Sequence, residues 1–68
     1  MDTEKLKKLR VEHKKTQLEI AHLIGLKTAS AYNKKENGKV PLTLEEAKIL
    51  ADFYEVGIES FLNVSVKQ

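Results

Sequence analysis

The sequence contains no cysteine. That one absence removes disulfides, thiolate metal ligands and a thiol nucleophile together, so nothing covalent staples a chain of only 68 residues. Long apolar runs are missing too: none exceeds three residues, whereas a membrane-spanning helix needs about 20. The N-terminal stretch Met1 to Arg10 is charged where a signal peptide would need an apolar core, so the cytosol is the expected compartment. Proline occurs once, at Pro41, and the three glycines are scattered, so there is no glycine-rich loop to cradle a phosphate. A strong charge of one sign is also lacking, because the formal net charge is +2. A chain of this size buries about 60% of the surface its unfolded form exposes. A large catalytic cleft between domains is therefore not expected, and one domain over residues 1–68 resting on helix packing is.

The modest charge is unevenly placed. Residues 1–42 carry ten basic and five acidic side chains, and residues 43–68 carry two basic and five acidic ones, so the chain is +5 at one end and −3 at the other. Good helix formers run from Asp2 to about Lys14, with Leu6, Leu9 and His13 spaced along one narrow stripe. After a break at Lys15-Thr16, Thr16 and Glu19 form a capping box for a second helix whose buried face is Leu18, Ile20, Ala21, Leu23 and Ile24. Gly25 is placed to end it. Thr28 is a fitting cap for a short third helix from Ala29 to about Lys35, closed by Gly38. Asn37-Gly38 is also a hairpin signal, but its flanks do not alternate and Pro41 would break a ladder, so a helix end is preferred. The fourth helix starts at the capping box Thr43/Glu46, stapled by Leu42 and Ala47, and buries Ala47, Leu50, Ala51 and Tyr54. A fifth short helix fits Ile58 to Leu62, and the tail Asn63 to Gln68 alternates like a scrap of strand or an adherent arm. The expected fold is all-α, with five helices.

Two short helices joined at Gly25, the second crowded with Lys27, Thr28, Ser30, Asn33, Lys34 and Lys35, suggest a helix-turn-helix over about residues 17–35. In that motif the first helix braces across the DNA backbone and the start of the second enters the major groove. The run TQLEIAHLIGL, a short polar helix closing in ENGK, a proline loop and LEEAKILADFYEVGIESFL together resemble the lambda-repressor-like (Xre/Cro-type) DNA-binding domain over about residues 4–63. The resemblance implies a DNA-binding transcriptional regulator, a repressor of phage or mobile-element type; no cofactor is expected, and a two-fold dimer would read a near-palindromic operator. It implies base contacts from Thr28, Ala29, Ser30, Asn33 and Lys34. Gln17 would touch a phosphate while buttressing the recognition helix, and Lys39 would meet another phosphate. The sequence departs from the family pattern in three places. One extra residue lies near Lys27-Thr28, Lys35 stands where a large apolar residue is common, and Glu55 stands where glycine commonly ends the fourth helix. A left-handed glutamate there would be strained by about 1 kcal/mol.

Each signal has a plainer reading. Lysines on the first helix can be a solvated face, with Lys14 or Lys15 as phosphate contacts in the alternative, whereas Lys27 and Lys35 read as phosphate contacts. The spacing of Tyr32 puts it in the core rather than against a base. His13 and His22 lie nine residues apart with no partner ligands, so no metal site is expected. Ser30, Ser60 and Ser65 have no base at helical spacing, so neither is catalysis. Phe61, Leu62, Val64 and Val66 either close the core or form a homodimer contact. A rival use of the same fold is a protein-interaction module, an antitoxin or co-regulator docking through the acidic half.

Overall fold

The computed structural model describes residues 3–60. Four α-helices follow one another: α1 (Thr3–Glu12), α2 (Gln17–Leu23), α3 (Ala29–Glu36) and α4 (Leu44–Tyr54). No strand occurs among the described residues. Of the expected fifth helix, Ile58 to Leu62, the described residues include a single 3-10 turn, Ile58–Ser60, so four α-helices stand among the described residues and a fifth is not shown. Phe61, Leu62, Val64 and Val66 lie outside the described residues.

Three helices start as local chemistry dictates. The Thr16 hydroxyl accepts from the Glu19 amide at 3.1 Å while the Glu19 carboxylate accepts from the Thr16 amide at 2.8 Å. Thr43 and Glu46 repeat the reciprocal pair at 3.1 and 2.9 Å, with Leu42 and Ala47 both buried as the staple. At α3 the cap is one-sided, Thr28 Oγ1 accepting from the Ala31 amide at 3.1 Å.

All four helices finish in the same way. Each C-terminus shows the paired backbone bonds of a Schellman motif: Lys15→Arg10 with Lys14→Val11, Leu26→Ala21 with Gly25→His22, Lys39→Lys34 with Gly38→Lys35, and Val56→Ala51 with Glu55→Asp52. The motif needs a left-handed residue after the helix. Glycine supplies it at Gly25 (φ 88°) and Gly38 (φ 80°), but Lys14 (φ 57°) and Glu55 (φ 58°) supply it after α1 and α4. The strain expected at Glu55 is thus present, and Lys14 carries a second instance that its neighbours in sequence do not announce. Lys14→Gly and Glu55→Gly should each raise the stability measured by urea unfolding by about 1 kcal/mol.

Leu6 and Leu9 of α1, Ile20, Ala21 and Ile24 of α2, Tyr32 of α3, Leu42, and Ala47, Leu50, Ala51 and Tyr54 of α4 form one buried cluster. Tyr32 is fully buried, as its spacing predicts. Around the edge, the His13 ring lies 4.9 Å from Tyr54 and 6.0 Å from Phe53, and its Nδ1 is 2.8 Å from the Leu9 carbonyl oxygen. The α1 stripe therefore ends on aromatic rings of α4. α3 packs on both α2 and α1, which fixes its pose.

Candidate nucleic-acid interface

α3 turns Tyr32, Lys35 and Glu36 inward. Ser30, Lys34 and Asn37, spaced i, i+4, i+7, are exposed on the opposite side. Ala29 and Asn33 are half-buried on one shoulder and line a cleft of about 620 Å³ between α3, the C-terminal half of α1 and the start of α2, together with Lys7, Lys15, Gln17 and Asn37. Lys27 and Lys39 are exposed at the two ends of α3. Thr28 is exposed, with its hydroxyl engaged as the helix cap.

Behind this surface stands a polar joint built from three helices. Arg10 of α1 forks onto Glu36 of α3, Nε donating to Oε2 at 2.8 Å and Nη2 to Oε1 at 3.2 Å. Its remaining nitrogen, Nη1, donates to the Lys15 carbonyl at 2.9 Å. Gln17 opens α2 and donates from Nε2 to Glu36 Oε1 at 3.1 Å. The side chain of Glu36 is only 3% exposed and that of Arg10 14%, so both charges are largely removed from water and need this full set of partners. Burial alone would raise the Glu36 carboxyl, but the Arg10 and Gln17 hydrogen bonds outweigh it and hold the carboxyl below its ordinary value. Burial, with the Glu36 charge nearby, pushes the Tyr32 and Tyr54 phenols up, the latter to about 12. Gln17 thus has the buttressing part of its expected role in plain view. Arg10 and Glu36 did not figure among the expected site residues. The signal for them was that Arg10 is the only arginine beside eleven lysines, and arginine is the side chain suited to a bidentate carboxylate.

Lys35 departs from the expected phosphate-facing placement. It is buried, its Nζ lies 2.9 Å from Glu46 Oε1, and it donates to the Pro41 carbonyl at 3.2 Å. Its aliphatic stem occupies the core-facing position while the ammonium ties α3 to the cap of α4. Lys15 is half-buried, with Nζ 5.8 Å from the centroid of the Phe53 ring, a spacing compatible with a weak cation–π contact.

Among the described residues no helix is long and apolar enough to cross a membrane, and no three histidine, aspartate or glutamate side chains converge as a metal site would require. Comparison with curated proteins and with solved structures returned no match. Comparison with protein families matched the helix-turn-helix model over residues 6–66, nearly the whole chain and including both helices of the motif. That match, the polar outward stripe of α3 and the joint that holds α3 against α1 and α2 agree with one another. The chain belongs to the lambda-repressor-like (Xre/Cro-type) helix-turn-helix family of DNA-binding regulators.

Proposed function

We propose that the protein is a sequence-specific regulator of the repressor type, of phage or mobile-element origin, that reads the major groove of duplex DNA with α3. The observation that carries this reading is the outward stripe Ser30, Lys34 and Asn37, with Asn33 on its shoulder, on a helix whose other side is locked by Arg10, Gln17 and Glu36. A reading helix must hold short polar side chains at fixed positions relative to base edges, and a two-sided clamp provides that. In this reading Thr28, Ala29, Ser30, Asn33 and Lys34 meet bases, while Lys15, Lys27, Lys39 and the α2 end at Gln17 meet phosphates. Lys35 is set aside because its ammonium is engaged with Glu46. Homodimerisation through Phe61, Leu62, Val64 and Val66 would place two such helices about 34–36 Å apart on a near-palindromic site.

Selection of bound duplexes from a random pool is the test. A recurring two-fold motif should emerge, and Lys34→Ala should lose about 1–3 kcal/mol on the selected site while relaxing preference at one or two base pairs. An equal loss on selected and random duplexes would overturn base reading by α3. No enrichment at physiological salt, with a tight complex formed instead with a protein encoded alongside, would favour the interaction-module use of the fold.

A further inference from the structure

Asn33 and Asn37 stand one helical turn apart on the DNA-facing side of α3, and their side chains are joined: Asn37 Nδ2 donates to Asn33 Oδ1 at 3.0 Å. The bond sets the orientation of the Asn33 amide. Its oxygen is turned toward Asn37, and its Nδ2 group is the end without a protein partner among the described residues. The direction of the bond suits its location, because Asn37 follows the last residue of α3, where the partial negative charge of the helix end favours a nearby donor.

An asparagine with both ends free can pair with adenine, accepting from N6 and donating to N7. One whose oxygen is turned onto a neighbouring donor keeps a second lone pair there but presents its Nδ2 donors at the free end. We infer that Asn37 is a specificity-determining residue which, by holding the oxygen of Asn33, makes Asn33 a reader of acceptor edges, guanine N7 and O6 foremost, rather than of adenine. The inference rests on the proposed base contact of Asn33 and adds to it the chemical class of the base and the residue that chooses it.

The coupling can be reversed by a single change. In Asn37→Asp the carboxylate can only accept, so Asn33 must rotate its amide to donate Nδ2 to Asp and turn Oδ1 outward, toward donor edges such as adenine N6 or cytosine N4. The readout is the ratio of affinities of one variant for two duplexes that differ at the base pair facing Asn33, so that any uniform loss caused by the new negative charge cancels. The wild type should favour guanine at that position. Asn37→Asp should move the ratio toward adenine or cytosine by between about 5-fold and 150-fold, and Asn37→Ala should move it toward adenine. The expected substitutions are at an exposed position, and thermal melting verifies that each variant is folded. Asn33→Ala separates the two levels of inference. If it changes preference at one base pair while Asn37→Asp leaves the guanine ratio where it was, the coupling is overturned. If it changes preference nowhere, the base contact itself is overturned, and the coupling with it.

Discussion

Glu36→Gln should lower the unfolding free energy at neutral pH by about 2–3 kcal/mol, measured by urea denaturation. The replacement is nearly isosteric, so the loss comes from leaving the Arg10 guanidinium, only 14% exposed, beside a neutral amide. Breaking a fully buried pair by removing one partner costs about 3–5 kcal/mol, and the residual exposure of Arg10 reduces that figure. A chain of this length has total stability on the order of 3–10 kcal/mol, so the variant stands close to unfolding. Removing both partners is a different experiment. Arg10→Met combined with Glu36→Leu takes away the charges along with their desolvation, and it should be much less harmful than either single change. A double variant as unstable as the sum of the singles would show that the ion pair is not what holds the joint.

The same joint makes stability depend on pH in a stated direction. The Glu36 and Glu46 carboxyls both lie below their ordinary value of 4.5: burial opposes the charge, but the Arg10 and Gln17 bonds to Glu36, and the Thr43 amide and Lys35 bonds to Glu46, outweigh it. A carboxyl depressed in the folded state contributes stability that is fully present above the unfolded value and is lost as pH falls through the folded one. Stability should therefore hold from neutral pH down to about 5 and fall steadily below 4.5, with a shallower fall in Glu36→Gln.

What was legible in the sequence follows the range of the interactions. The capping boxes at Thr16/Glu19 and Thr43/Glu46 close within four residues, so residue type and spacing suffice to place them. The inward face of α4 is equally legible, since Ala47, Leu50, Ala51 and Tyr54 repeat with the helical period and are all buried. Lys35 was misplaced because its fate is decided by Glu46 and the Pro41 carbonyl, partners that reach it only through tertiary folding. Arg10 and Glu36 are 26 positions apart, and no local pattern joins them. The left-handed Lys14 was hidden for a related reason. Lysine has no preference for that conformation, and it is held there because Lys15 continues the chain under Arg10 and over Phe53.

The inward turn of Lys35 also sharpens what salt should do to DNA binding. With its ammonium engaged and Lys34 assigned to a base, the cations available to phosphates around α3 and the cleft are Lys7, Lys15, Lys27 and Lys39. About four contacts imply a slope of log affinity against log salt near −3.6, so raising salt from about 50 to about 200 mM should weaken binding roughly 150-fold. Individual lysines then separate by slope rather than by affinity. Lys39→Ala should make the slope shallower by about 0.9, equally on selected and random duplexes, because a released counterion carries no sequence information. Lys35→Met should leave the slope unchanged, since its charge is satisfied within the protein, while lowering stability, because the Glu46 carboxylate, only 13% exposed, and the Pro41 carbonyl lose their ammonium partner. A Lys35→Met slope that falls by as much as that of Lys39→Ala would mean that Lys35 leaves Glu46 and reaches a phosphate when DNA binds.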